Sequence, residues 1–169
     1  MTRTLTLNFR EAINAQESGE VAIFLLTIDH PDLPTPILLS TDPTQLVSDV
    51  PLVYKTVSRG DDYIYVPMQV VIPDEREHAP PRAQFRICNV TRDLIQFIRS
   101  TTVPATAKLE LVLSSDLDEV EVQSPWLDII SVVNSARDLT FDMTLNSMAT
   151  EQWPTDSMDP ASFPGLHAK

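Results

Sequence analysis

Eight residues near the C-terminal end constrain this chain more than any others: Leu139, Phe141, Met143 and Leu145 alternate with Thr140, Asp142, Thr144 and Asn146. A helix would scatter those apolar side chains around its circumference. A strand places successive side chains on opposite faces, so this spacing puts one face in a core and the other in water. Ala107, Leu109, Leu111 and Leu113 alternate with Thr106, Lys108, Glu110 and Val112 in the same way. So do Ala83, Phe85 and Ile87 with Arg82, Gln84, Arg86 and Cys88. The chain is built on half-buried strands.

Further strands follow from composition and punctuation. Val21 to Ile28 is a run of β-formers, and Asp29-His30-Pro31-Asp32-Leu33-Pro34-Thr35-Pro36 ends it, because each Pro removes a backbone donor. Ile37-Leu38-Leu39 is a short strand, and residues 42–51 read as irregular between Pro43 and Pro51. Leu52–Val57 and Tyr63–Val66 form a hairpin with Gly60 supplying the turn. Met68 to Ile72 continues as a strand, and Pro67 before it marks an edge, a bend or a bulge. Asp116-Leu117-Asp118 turns the chain, and Val120 and Val122 then alternate with acids. Leu127 and Ile129, extended to Val133, share a face.

Two short helices are expected. Residues 9–18 lie between Asn8, a good N-cap, and Gly19, a good C′ residue, with Phe9 and Ile13 on one face. Residues 92–100 follow Thr91 as N-cap and carry Leu94, Ile95 and Ile98. Helices do not alternate regularly with strands, which disfavours a parallel α/β sheet and fits a mainly β, antiparallel sandwich or barrel. Residues 1–148 read as one β domain. Residues 149–169 hold Pro154, Pro160 and Pro164 without periodicity and read as an extended C-terminal arm. Trp153, Phe163 and Leu166 are its large apolar residues. They either cover the chain's own core or dock on a neighbouring subunit as interface anchors.

Charge narrows the function classes. With 12 basic and 24 acidic residues the net charge is -12. That disfavours ordinary nucleic-acid binding, which needs Lys and Arg to neutralise phosphates. The imbalance grows along the chain: residues 1–100 carry 9 basic and 13 acidic groups, and residues 101–169 carry 3 and 11. Only three glycines occur, so a Gly-rich phosphate loop is absent. No apolar run reaches the ~18 residues of a membrane span, so no membrane partner is expected. No secretory leader follows Met1, and the single Cys88 is read as a small packed side chain, so synthesis in a reducing cytoplasm is expected.

Candidate chemistry is sparse. Asp29-His30-Pro31-Asp32 holds metal-ligand types, but a zinc site needs three or four convergent ligands, and His78 and His167 lie in separate loops. Asp74-Glu75-Arg76-Glu77-His78 reads as a solvated loop, and Asp61-Asp62 as turn chemistry. No Gly-x-Ser-x-Gly elbow and no Cys–His signature occurs. No catalytic residue, metal or cofactor is expected.

Three stretches carry a resemblance to a known family: Phe9-Arg10-Glu11-Ala12 through Leu25-Leu26-Thr27-Ile28-Asp29-His30-Pro31; Pro81-Arg82-Ala83 through Ile87-Cys88-Asn89-Val90 with the Arg92–Ile98 helix; and Phe163-Pro164-Gly165-Leu166. In this order they resemble the small minor tail and distal-tail proteins of long-tailed bacteriophages and prophages. Leu46 to Tyr54 falls outside the resemblance. The resemblance implies a structural virion protein of the tail tip, made in the host bacterial cytoplasm, with a tail-tube-like β-sandwich and no enzymatic activity. It implies a ring, usually a hexamer, that joins the tail tube protein to the central hub beside the tape measure protein. DNA would pass through such a ring without specific binding, and acidic side chains on its lumen would repel phosphates. The alternatives are an assembly factor that forms no ring and a metal-dependent hydrolase using His30 and nearby acids.

Overall fold

The computed structural model of the chain describes residues 5–71, 82–88, 104–135 and 138–145. Among the described residues one helix, α1 (Leu7–Asn14), precedes eleven strands. They are β1 (Ala22–Asp29), β2 (Ile37–Ser40), β3 (Gln45–Asp49), β4 (Leu52–Ser58), β5 (Asp61–Tyr65) and β6 (Met68–Val71). Then follow β7 (Arg82–Cys88), β8 (Thr106–Leu113), β9 (Asp116–Gln123), β10 (Leu127–Asn134) and β11 (Asp138–Thr144). The expected mainly β, antiparallel architecture is present. The helix expected over 92–100 and the arm residues Trp153, Phe163 and Leu166 lie outside the described residues.

All eleven strands join one sheet in the order β3-β4-β5-β2-β1-β8-β10-β11-β7-β6, with β9 also on β8. Its centre is the antiparallel ladder of β1 with β8, in register from Ala22↔Leu113 to Asp29↔Thr106. The other edge of β8 is divided. Thr106 and Ala107 pair with β10, while Glu110 to Leu113 pair with β9 across two register shifts. A single parallel contact interrupts the pattern, where β2 meets β5 at Leu39↔Ile64 and Ser40↔Tyr65.

Side-chain alternation along these strands builds three apolar clusters. The largest joins Leu26, Ile28 and Leu39 to Ala107 and Leu109, Leu127, the β11 trio Leu139, Phe141 and Met143, and the β7 trio Ala83, Phe85 and Ile87. Phe85 and Phe141 are register partners, with stacked rings whose centroids are 4.2 Å apart. The opposite face of β1 and β8 supplies Ile23, Leu25 and Val112 to a second cluster, where Tyr63 of β5 joins them. Both faces of β1 are thus buried. A third cluster sets Phe9 of α1 against Leu111 and Leu113.

Five local expectations are corrected. The helix starts on Thr6, whose hydroxyl accepts from the Phe9 amide at 3.2 Å, rather than on Asn8. Thr6 holds that place because its own N–H and hydroxyl both bond the Glu121 carboxylate of β9. The helix also stops at Asn14, well short of Gly19, because Ala15 is already extended. Only its first turn lies on the sheet, so Phe9 is buried while Ile13 is 62% exposed. Residues 45–49, expected to be irregular, form β3 on the edge of β4. The chain turns at Ser114-Ser115, and Asp116-Leu117-Asp118 already belong to β9. In β10 the register shifts between Ile129 and Ser131, which reverses the alternation beyond that point. Val132 therefore packs on the main core, and Val133 is exposed.

Two substitutions separate core from surface. Phe141→Ala should cost about 3–5 kcal/mol by removing one ring of the stacked pair and leaving a cavity. Val133→Ala should stay within about 0.5 kcal/mol, as an exposed position does. Chemical denaturation of both variants measures the difference, and a large cost at Val133 would contradict the bulge.

Candidate functional site

The polar chemistry of the described residues concentrates where the β4–β5 hairpin tip meets β8 and β9. The hairpin turns through Arg59 and Gly60, with φ of 53° and 87°. Two consecutive left-handed residues give the turn a twist that matches its strands, and Gly60 meets the demand without a Cβ penalty. Arg59 has no such freedom, and its conformation is held from both ends. Its N–H donates to Asp118 Oδ1 at 2.5 Å, and its guanidinium reaches Glu110 of β8.

Glu110 is 3% exposed and shares its face of β8 with Lys108 and Val112. Arg59 Nη2 donates to Oε2 at 2.5 Å and Nη1 to Oε1 at 3.3 Å. Lys108 Nζ lies 2.8 Å from Oε1. Arg59 Nη2 also donates to the Tyr63 hydroxyl at 3.4 Å. Beside them, the Ser58 hydroxyl donates to the Leu117 carbonyl at 2.6 Å. Burial works to raise the Glu110 carboxyl, but the hydrogen bonds and charges of Arg59 and Lys108 outweigh it and hold the group below its ordinary value. The bond to Glu110 in turn holds the Arg59 guanidinium above its own. Both carboxylate oxygens face cations, so the group stays ionised and serves as a joint between two parts of the sheet.

Sequence reading missed this joint. Arg59 and Glu110 are 51 positions apart, and no local pattern links them. One signal was present: Lys108 and Glu110, two apart on a strand, must share a face.

The sequence-derived candidates fall elsewhere. His30 is buried, and its Nδ1 accepts the Asp32 N–H at 3.0 Å, so the nitrogen nearest the loop acids is engaged by backbone. Among the described residues no group of three or more His, Cys, Asp or Glu converges to hold a metal. Cys88 is half-buried, and desolvation followed by its hydrogen bond with Asp138 pushes its thiol up, which disfavours the reactive thiolate. His78, His167 and the 74–77 acids lie outside the described residues.

Acidic side chains crowd the β8–β9 turn, and several of them cap main-chain donors. Asp116 Oδ1 accepts from the Asp118 and Glu119 amides, and Glu20 Oε2 accepts from the Ser115 amide and the Ser114 hydroxyl. The far end of the sheet is different. Leu46, Val47, Val50 and Leu52 of the β3–β4 hairpin are all more than half exposed, Val50 reaching 90%. Tyr54 and Tyr65 meet edge to face next to them. Lys55 donates to both oxygens of Asp62 at 2.9 and 2.8 Å, which cancels its charge. With four large apolar side chains exposed around the single acid Asp49, this hairpin is a candidate interface.

The ionic joint makes stability depend on pH with a definite sign. A carboxyl lowered by folding stabilises above its unfolded value and loses that contribution as pH falls through its folded value. Glu110→Gln should therefore cost about 2 kcal/mol at neutral pH, less than a fully buried pair because Arg59 is partly exposed. That deficit should shrink as pH drops below the ordinary carboxylate range. Urea midpoints of both proteins across that range measure it, and a pH-independent difference would contradict the assignment.

No curated protein matches the chain. A family model described as a domain of unknown function, DUF1833, matches residues 8–157. The match takes in every described strand. The chain belongs to the DUF1833 family.

Proposed function

We propose that the chain is a structural virion protein of a phage tail tip. It forms a ring, a hexamer, that joins the tail tube to the central hub as a distal tail protein does. The observation that carries this reading is the β3–β4 hairpin. Four of its large apolar side chains, at 46, 47, 50 and 52, stand in solvent at one end of the described sheet path. Exposed apolar surface of this kind is completed by a neighbour, and contacts between unlike surfaces close a ring when the rotation permits.

Three further features support it. The mainly β, mostly antiparallel architecture suits a tail-tube-like sandwich, and one apolar cluster draws on β1, β2, β7, β8, β10 and β11. The sequence motifs resemble tail-tip proteins. The acidic excess gives a wall that DNA passes without being gripped. In this reading residues 149–169 act as an arm, anchored on a neighbouring subunit by Trp153, Phe163 and Leu166. The role is assembly, and no catalytic step belongs to it.

Native mass spectrometry of the purified chain should show a closed oligomer of defined size. Leu46→Asp combined with Leu52→Asp should shift it to monomers while leaving the thermal midpoint within a few degrees, because both positions are exposed. A double variant that keeps the ring would remove the hairpin from the interface. Mass spectrometry of finished particles completes the test, since a chain missing from them would be an assembly factor rather than a virion component.

A further inference from the structure

The strands β3, β4 and β5 are bound to one another far more firmly than to the rest of the sheet. Between themselves they have four register pairs in β3–β4 and four in β4–β5. The Tyr54–Tyr65 ring contact and the Lys55–Asp62 pair add to these. To the rest of the sheet they have only the two parallel pairs of β5 with β2. The remaining attachments are of three kinds. At the base, Ser40, Thr44 and Thr56 exchange hydroxyl bonds, and Thr56 donates to the Asp42 carbonyl at 2.8 Å. In the middle, Tyr63 inserts against Ile23, Leu25 and Val112. At the tip, Arg59 and Ser58 bond Glu110, Asp118 and Leu117.

We propose that β3–β4–β5 is a flap that opens from the sheet as one unit, with the Arg59–Glu110 joint as its latch. Its two hinges are visible. Thr41 is fixed to β1, donating its N–H to the Phe24 carbonyl and accepting the Phe24 N–H on its hydroxyl. Val66 is fixed to β2 by its N–H on the Ser40 carbonyl and packs on the main core. Between those anchors the chain runs out to the end of the sheet, makes three strands and returns. The bonds that hold the three strands together are separate from those of the latch, so the flap keeps its own structure when the latch is released. Opening withdraws Tyr63 from the second cluster and swings the β3–β4 hairpin relative to β8. The flap rests on bonds within a single chain and is independent of the ring reading.

Hydrogen exchange read by mass spectrometry on the full chain tests this. In Arg59→Ala, amides of β4 and β5 should exchange together, at least about tenfold faster, the factor that loss of one charge-assisted hydrogen bond corresponds to. Amides of β7 and β11 should keep their protection. A rise confined to residues 58–61 would mean local fraying of the turn and would overturn the flap, as would no change. An equal rise in β7 and β11 would mean global unfolding and would overturn it too. The unmodified chain gives a second reading free of any folding defect. In low urea its β4 and β5 amides should converge on one opening event below that of β7 and β11, and convergence of all four strands at one value would refute the proposal.

Discussion

The whole sheet depends on the ladder between β1 and β8. It is the longest run of pairs in the structure, unbroken from Ala22↔Leu113 to Asp29↔Thr106. It is also the layer to which everything else attaches: β2 on the free edge of β1, β9 and β10 on the divided edge of β8, and α1 against the end of one face. Apolar side chains emerge from both faces of β1, Leu26 and Ile28 to one cluster and Ile23 and Leu25 to another. A strand buried on both sides has no polar face to spare, which is why Ala22–Asp29 is nearly continuous in β-formers rather than alternating. Glu110 is the exception on β8, and it is tolerated there because two cations neutralise it.

The distribution of charge has a structural logic beyond solubility. At the β8–β9 end, Asp116, Asp118, Glu20 and Glu121 accept hydrogen bonds from main-chain amides, two of them at turns, one at the start of β9 and one at the start of α1. Part of the acidic excess is therefore committed to finishing backbone that the sheet leaves unpaired. At the β3–β4 end four large apolar side chains are exposed, with the acid Asp49 among them, and its one lysine is paired with Asp62. The two ends of the described sheet thus differ in surface chemistry.

How much of this was legible in the sequence depended on how far away the deciding partner lay. Strands with period 2, such as β8 and β11, were readable because each residue's neighbours two positions away report its face. The β4–β5 hairpin was readable because Gly60 marks a turn on its own. β3 was not, since Gln45-Leu46-Val47-Ser48-Asp49 has neither alternation nor a buried face to impose one. The start of α1 was misplaced because Thr6 wins over Asn8 through Glu121, a residue 115 positions away. Val133 was assigned to the wrong side because a bulge leaves no mark in composition. The ionic joint was invisible for the same reason as the cap: Arg59 and Glu110 meet only once the sheet exists.

The β1–β8 ladder has a consequence for how the chain comes to be folded. β1 ends at residue 29, and its partner begins at residue 106. During synthesis β1 must wait while roughly eighty residues are added, on the order of ten seconds at ordinary rates of synthesis. Closing so long a loop precedes any reward from pairing, which slows the search. For that interval β2 can cover only one edge of β1, and the edge that β8 will take, along the apolar run Ala22-Ile23-Phe24-Leu25-Leu26, has no mate. The nascent protein is therefore most exposed to aggregation before residue 113 has left the ribosome, and a folding helper that shields its first thirty residues would act in that window.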